Sequence, residues 1–141
     1  MNRLTKYAPY LAWAVAALST AGSLFFSDIL HYVPCALCWW GRIFMYPLVI
    51  IIGIGILRRE RHWIPYALPL TLAGTGLALY HSLLQWGIIP EIIKPCVISV
   101  PCTTKYINLL GFITIPFLEL LAFLTIAVCL YLYNKETTRV P

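Results

Sequence analysis

Charged residues are scarce in this chain of 141 residues. Lysine, arginine, aspartate and glutamate together make up 11% of it, whereas hydrophobic residues make up 61%. Because soluble domains carry roughly 25% charged residues, this composition excludes an ordinary soluble domain and indicates a membrane protein. The ten basic residues are scattered and form no stripe, so a nucleic-acid-binding surface is not expected despite the net charge of +5.

Long polar segments and internal repeats are also missing, and four apolar segments occupy most of the chain. Each is long enough, or nearly so, to cross the roughly 30 Å hydrocarbon core of a bilayer as a helix. The sequence therefore predicts one integral membrane domain over residues 1–141, an all-α bundle of four transmembrane helices. The predicted spans are residues 7–26, 39–57, 64–86 and 112–133.

The first of these segments has an alternative interpretation, because two basic residues precede it as they precede the apolar part of a secretory signal peptide. Its twenty uncharged residues exceed the usual length of that part, and further apolar segments follow. A retained first span is therefore favoured.

Lysine and arginine are divided unevenly between the two sides of the predicted bundle. The N-terminus, the turn at 58–62 and the C-terminal tail hold seven of them, and the opposite side holds three. Because basic residues are enriched in cytoplasmic loops, both termini are predicted to be cytoplasmic. Two short loops, at about 27–38 and 87–111, are then extracytoplasmic.

Four of the five cysteines fall in these two outer loops. Cys35 and Cys38 belong to the first loop, and Cys96 and Cys102 belong to the second. Extracytoplasmic compartments are oxidising, so disulfides persist there. Cys129 lies in the last span, in the opposite half of the bilayer, and is interpreted as an inert small apolar residue.

The segment Pro34–Arg42 concentrates the most distinctive residues. Two cysteines at Cys-x-x-Cys spacing close a small disulfide ring that is readily reduced and re-formed. If Pro34 takes the first helical position, Cys35 lies in the first turn, where the helix dipole favours a thiolate. Cys38 and Arg42 are four residues apart and share one helix face. These are the components of a redox site.

The length of the second span places this site at the membrane boundary. Its uninterrupted apolar run, residues 43–57, reaches only about 22 Å as a helix. The helix is therefore expected to begin earlier and to bring Cys38 and Arg42 to the edge of the lipid. Trp39 and Trp40 suit that interfacial level.

Two other uses of the cysteines remain open. Either pair could be a structural disulfide; a seven-residue ring between Cys96 and Cys102 stabilises by about 2.4 kcal/mol in the chain-entropy formula. All four outer cysteines could instead bind zinc as thiolates. Structural zinc sites usually hold small polar modules together, whereas this chain has a bundle core.

Three ionisable residues in or near the spans also need an interpretation. Arg42 could simply place its guanidinium at the interface, but its spacing from Cys38 favours binding of a thiolate or a ligand carbonyl. His81, near the end of the third span, is either a packing residue bonded to another helix or a functional group. Gln85 lies one turn further on the same face. Glu119, in the last span, has no obvious partner.

Taken together, these residues resemble the DsbB family of quinone-linked disulfide-forming membrane proteins, and in particular its short BdbC-like branch. The resemblance covers nearly the whole chain. It is carried by Pro34-Cys35-Ala-Leu-Cys38-x-x-x-Arg42, Tyr80-His81-x-x-Leu84-Gln85 and Gly111-Phe-x-Thr-Ile-Pro116.

The resemblance implies a thiol:quinone oxidoreductase in the bacterial cytoplasmic membrane. Such proteins reoxidise an extracytoplasmic thioredoxin-like thiol oxidase, of the DsbA or BdbD kind, and pass two electrons to a membrane quinone, menaquinone or ubiquinone. Carried over to this chain, Cys96 would receive the partner's thiol and Cys102 would complete that pair. Cys35 would exchange with the second pair. Cys38 would face the quinone, with Arg42 and His81 near its oxygens, and no metal is expected.

One feature departs from the well-known members of the family, which separate the second cysteine pair widely. Here only five residues lie between Cys96 and Cys102, so the order of the exchange steps is left open. A vitamin-K-epoxide-reductase-like enzyme is an alternative, but its loop pair generally precedes the quinone-side Cys-x-x-Cys. A metal-binding four-cysteine membrane protein and a non-catalytic scaffold with stapled loops are further alternatives.

Overall fold

A computed structural model describes residues 3–59, 61–90 and 101–139 of the chain. Within these ranges the protein forms four long α-helices, each long and apolar enough to cross a membrane. They are α1 (Arg3–Leu24), α2 (Ala36–Arg58), α3 (Ile64–Gln85) and α4 (Ile115–Arg139). This architecture confirms the predicted all-α bundle of four spans. Cys96 lies outside the described residues.

The helices pack as a ring in which each helix contacts its two neighbours. Helix α1 packs against α2 and α4, and α3 also packs against α2 and α4. At one end, the Arg61 guanidinium donates a 2.7 Å hydrogen bond to the carbonyl of Thr137. The α2–α3 turn therefore lies beside the end of α4. At the other end, the Arg42 side chain near the start of α2 bonds Ser23 near the end of α1.

Three helix ends near the site differ from the predicted spans. Helix α2 begins at Ala36, three residues before its predicted start. A π-helical turn, Phe25–Ile29, continues α1 beyond the predicted end at residue 26. Helix α4 begins at Ile115, three residues after the predicted start, with Pro116 in its first turn, where a missing N–H breaks no helical bond. Before it, a tight reversal pairs Leu109 with Ile113.

The middle of the bundle and the end that carries the termini are closely packed. Phe123, Leu48 and Ile126 are fully buried near the middle of their helices. A side chain on Gly74 would collide with the ring of Phe123, and one on Gly55 would collide with Trp63. Small residues at helix contacts let large side chains approach the neighbouring backbone, as is usual in membrane bundles.

A second, smaller cluster occupies the loop end of the bundle. Its buried members are Cys35, Leu37, Leu84 and Cys102, and the half-buried Cys38 packs against them. Three of the four outer-loop cysteines are thus brought to the end at which α2 begins and α3 ends.

Candidate functional site

The first cysteine pair lies at the start of α2. Cys35 is the N-cap residue, and its sulfur accepts a hydrogen bond from the backbone N–H of Cys38 at 3.4 Å. The two thiol sulfurs are 3.1 Å apart, with the Cys35 S–H donating to Cys38. Because the spacing and the helix start already place the sulfurs in contact, closing a disulfide requires only about 1 Å of further approach.

The Cys35 thiol is held in its protonated form. Its hydrogen bond to Cys38, together with burial, raises the pKa of Cys35 to about 12, and the nearby His81 only partly opposes this. The helix dipole predicted a thiolate on Cys35 instead. That prediction is wrong because the hydrogen bond that the Cys35 S–H donates to Cys38 and the burial of the thiol outweigh the favourable helix terminus.

His81 connects the first cysteine pair to the second outer loop. The ring is buried, with Nε2 3.7 Å from the Cys35 sulfur and 3.3 Å from the carbonyl oxygen of Cys102. Its other nitrogen, Nδ1, is buried without a hydrogen-bond partner. The ligand atoms of Cys35, Cys38 and His81 lie within 4.8 Å of one another, so the reduced pair could also hold a soft metal ion such as Zn²⁺.

Gln85, one turn after His81, fixes the same loop. Its amide Nε2 donates hydrogen bonds to the carbonyls of Cys102 at 3.3 Å and Thr104 at 3.2 Å. Cys102 is fully buried beside Cys35. The end of α3 therefore holds the backbone of the second loop against the first cysteine pair.

Arg42 is fixed by the end of α1. Its guanidinium donates to the Ser23 hydroxyl at 2.9 Å and to the Ser23 carbonyl at 3.2 Å. The charged group also lies 5.1 Å from the centre of the Trp39 ring, a distance at which a cation is attracted to an aromatic face. The Arg42 guanidinium is therefore held in place one helical turn after Cys38.

A cavity of about 340 Å³ lies beside Cys38, lined by residues of α1, α2, α4 and both outer loops. Its wall is mostly apolar, with the side chains of Cys38, Arg42, Tyr46 and Glu119 among the exceptions. The hydroxyl of Tyr46 is buried without a hydrogen-bond partner. His81 is not among the described residues that line this cavity, since it lies behind Cys35.

Three stacked aromatic rings close the loop end of the cavity. Tyr32 stacks on Phe26 with ring centres 6.2 Å apart and on Tyr106 with ring centres 4.7 Å apart. The Tyr106 hydroxyl donates a hydrogen bond to the carbonyl of Val33 at 3.1 Å. This stack joins the two outer loops, and all three rings line the cavity.

Sequence reasoning missed several members of the site. Cys38, Arg42 and Tyr46 follow one another at intervals of four residues, so helical periodicity would have placed Tyr46 on the face of the cysteine. Gly41, a glycine inside the same helix, marks a place where another group approaches closely. In the structure that group is the carboxyl of Glu119. Ser23 and the aromatic stack depend on how separate segments meet, and no local pattern identifies them.

The fold and the site together define a membrane protein of thiol–disulfide chemistry. A four-helix membrane bundle holds a dithiol at the N-cap of one helix. The bundle places a second-loop cysteine beside that dithiol.

Comparison with known proteins identifies the family. The family model described as "Disulfide bond formation protein DsbB" matches residues 5–133. "Disulfide bond formation protein C" of Bacillus subtilis (strain 168) is 45% identical over 129 residues, which cover 90% of this chain and 92% of the relative. "Probable disulfide formation protein C 1" of Bacillus anthracis is 42% identical over 131 residues, covering 93% and 94%. No solved structure matches significantly.

The chain belongs to the DsbB family, and its similarity to disulfide formation proteins C confirms the BdbC-like branch. It is a disulfide-bond-forming oxidoreductase integral to a membrane.

Proposed function

We propose that this protein reoxidises an extracytoplasmic thioredoxin-like thiol oxidase and passes the electrons to a membrane quinone in the bacterial cytoplasmic membrane. One observation carries the proposal. The Cys38 sulfur contacts Cys35 at 3.1 Å, and Cys38 also lines the 340 Å³ cavity. A thiol that contacts both its partner cysteine and the cavity can pass electrons from a disulfide relay to a ligand in the cavity.

The orientation in the membrane follows from charge. Seven of the ten basic residues lie at the end with the termini and the α2–α3 turn. The positive-inside rule favours this end as the cytoplasmic one. Both cysteine-bearing loops then face the oxidising side, where a secreted thiol oxidase is available.

The cavity residues fit a quinone head group. Sites for small molecules typically measure about 300–1,000 Å³ and combine apolar walls with a few polar groups, and the cavity lies within this range at about 340 Å³. The unpartnered hydroxyl of Tyr46 and the guanidinium of Arg42 are donors for its carbonyl oxygens. A bound quinone supplies the capacity to accept two electrons and two protons.

Each exchange in the relay conserves atoms and electrons. The partner's dithiol attacks the Cys96–Cys102 disulfide, the partner leaves as a disulfide, and the second pair is left as two thiols. That dithiol then reduces the Cys35–Cys38 disulfide in the same way. Finally, the Cys35–Cys38 dithiol closes again and delivers two electrons and two protons to the quinone, which becomes a quinol.

Within this relay we assign His81 to the exchange between the pairs. A Cys35 thiol with a pKa raised to about 12 needs a base when it reacts, and the His81 Nε2 lies 3.7 Å from its sulfur. In the tautomer with its proton on Nδ1, Nε2 can accept the Cys35 proton, and the N–H formed can then donate to the Cys102 carbonyl 3.3 Å away. The family resemblance also implies a role for His81 near the quinone oxygens, and the quinone KM of His81→Gln tests that second role.

The first experiment is a quinone reduction assay with the purified protein. It uses an excess of a reduced thioredoxin-like oxidase, a soluble quinone analogue and absorbance as the readout. Wild type and the matched control Cys129→Ser are expected to consume quinone, whereas Cys38→Ser and Cys96→Ser are expected to be inactive. If wild type consumes no quinone where a known oxidase does, the proposed function is wrong.

A metal-binding role is the second candidate, because Cys35, Cys38 and His81 bring three ligand atoms within 4.8 Å. Metal analysis of the purified protein distinguishes it. Stoichiometric zinc with reduced cysteines would favour metal binding, whereas disulfides in the cell would exclude a permanent thiolate site.

A further inference from the structure

Glu119 is a carboxyl group inside a membrane span that neither the packing nor the thiol relay explains. It lies near the start of α4 and lines the cavity beside Cys38 and Arg42. Arg42, however, directs its hydrogen bonds to Ser23. Intramembrane carboxyl groups are costly and are usually functional.

This carboxyl group packs directly against the backbone of α2. Gly41 is buried, and a β-carbon there would collide with the Glu119 carboxyl oxygens. Gly41 immediately precedes Arg42 and lies one turn from Cys38, so Glu119 meets α2 between the thiol and the cation. It is close enough to interact electrostatically with both Cys38 and Arg42.

Apart from Glu119 and Cys38, no described residue that lines the cavity carries a carboxyl, thiol or imidazole group. Arg42 contributes a guanidinium that is bonded to Ser23, and the tyrosines contribute phenol hydroxyls. The lining residues from α1 carry no ionisable side chain. Only Glu119 and Cys38 remain, and Cys38 is occupied by electron transfer.

We propose that Glu119 is the proton-transfer residue of quinone reduction, donating a proton to a quinone oxygen as electrons arrive through Cys38. This role rests on the proposed function, because it requires a quinone in the cavity. The carboxyl group belongs to the cavity wall, so it can reach a ligand oxygen without a water path through the apolar interior.

The proton count closes over one turnover. Oxidation of the Cys35–Cys38 dithiol breaks two S–H bonds, forms one S–S bond and releases two protons and two electrons. Reduction of the quinone consumes two electrons and forms two O–H bonds. Glu119 donates one of these protons and is reprotonated by one that the dithiol releases, so its carboxyl group is unchanged at the end.

The decisive variant is Glu119→Gln, which keeps the size and removes the acid. Because general acid catalysis typically contributes 10²–10⁴-fold, kcat for quinone reduction is expected to fall roughly 100-fold. The KM for quinone should change only a few-fold, and the pH profile should lose the limb that Glu119 provides. Glu119→Asp keeps an acid and should retain a titrating limb at reduced rate. Glu136→Gln, the same exchange near the other end of α4, is the matched control and should keep the wild-type kcat and pH profile.

A second readout does not depend on turnover. Infrared difference spectra recorded on adding a quinone analogue to the oxidised protein should contain a carboxyl band that is missing in Glu119→Gln. Exchange of a reduced thiol oxidase with the protein in the absence of quinone should proceed at the wild-type rate in both Glu119 variants.

The outcomes separate this role from the proposed function. Wild-type kcat and pH profile in a folded Glu119→Gln protein, or an unchanged infrared spectrum, would overturn the role of Glu119 alone. If Glu119→Gln does not fold, an Asp variant with the wild-type pH profile and no altered carboxyl band would overturn it. A wild type that exchanges with its partner but never reduces quinone would overturn both.

Discussion

The packed interior of the bundle and its loop end use glycine in the same way but for different chemistry. In the middle of the bundle and toward the end with the termini, Gly74 and Gly55 leave space for the rings of Phe123 and Trp63, and the result is a dense apolar core. At the loop end, the carboxyl group of Glu119 packs against Gly41. One region is built for packing, and the other keeps a polar group beside a cavity.

Buried polar atoms without hydrogen-bond partners also distinguish the loop end from the packed interior. The Tyr46 hydroxyl, the Nδ1 of His81 and the Oε1 of Gln85 are buried without hydrogen-bond partners, and all three lie near the cysteine pair or its cavity. Buried polar groups are normally paired. Their concentration at the loop end indicates that this end is shaped for a ligand or a reacting partner.

The largest expected effect concerns two cysteines, one at the cavity and one in the packed core. Cys38 lines the cavity, whereas Cys129 is buried in the apolar core cluster. Cys38→Ser should abolish quinone reduction, because serine cannot form a disulfide. Cys129→Ser should reduce kcat less than about twofold, since it removes no reacting group. A large loss of kcat in folded Cys129→Ser would show that the packed core and the cavity are not functionally distinct.

The next effect concerns the Cys35 thiol, whose pKa is raised to about 12 chiefly by its hydrogen bond to Cys38. In the reduced protein its alkylation rate should keep rising with pH well above pH 9, because only the thiolate reacts. Cys38→Ala removes that hydrogen bond, so alkylation at pH 8 should accelerate roughly tenfold or more.

Iodoacetamide labelling followed by mass spectrometry measures this rate, with the remaining cysteines replaced by serine. A rate that levels off below pH 9 in the protein with both Cys35 and Cys38 would contradict the raised pKa.

A smaller effect is expected in the packed interior of the bundle. Gly74→Ala should destabilise the protein by about 1–3 kcal/mol, because the new methyl group collides with Phe123 and overpacking costs this much. Gly76, two residues later on the same helix, has nothing within 4 Å of its β-carbon position. Gly76→Ala is therefore the matched control and should be neutral or slightly stabilising.

Thermal denaturation of both glycine variants in one detergent, together with quinone reduction, tests this prediction. The loss in Gly74→Ala should appear in the unfolding temperature and not in kcat of the folded protein. Equal stability of the two variants would mean that the close approach of Phe123 to α3 does not contribute to stability.

The smallest effect lies at the cavity. Tyr46→Phe removes one hydrogen-bond donor, which typically contributes about 1 kcal/mol, so the quinone KM should rise roughly fivefold with little change in stability. The stability should be kept because the hydroxyl has no partner within the protein. An unchanged KM with wild-type kcat would place the quinone away from Tyr46.

Much of this molecule could be predicted from sequence because its main signals are local. Apolar runs predicted the four spans. The spacing of Cys35 and Cys38 predicted two thiols close enough to form a disulfide at a helix start. The pairing of His81 and Gln85 on one face predicted a shared role, and both contact the second cysteine loop.

The cavity could not be predicted in the same way, because its wall combines residues distant in sequence, among them Ser23, Arg42 and Glu119. The protonation of Cys35 also depends on which sulfur donates and on burial, neither of which spacing reveals. The sequence indicated the helix start correctly but not the hydrogen bond to Cys38 and the burial, which raise the pKa of Cys35.

The most direct test of the central claim is a single turnover without any partner protein. The protein is reduced, freed of reductant and mixed anaerobically with a quinone analogue, and the disulfides formed are mapped by mass spectrometry. A Cys96→Ser/Cys102→Ser protein should consume one quinone per chain and form the Cys35–Cys38 disulfide, whereas adding Cys38→Ser should stop both. Quinone consumption that persists without Cys38, or that leaves Cys35 and Cys38 reduced, would contradict the account.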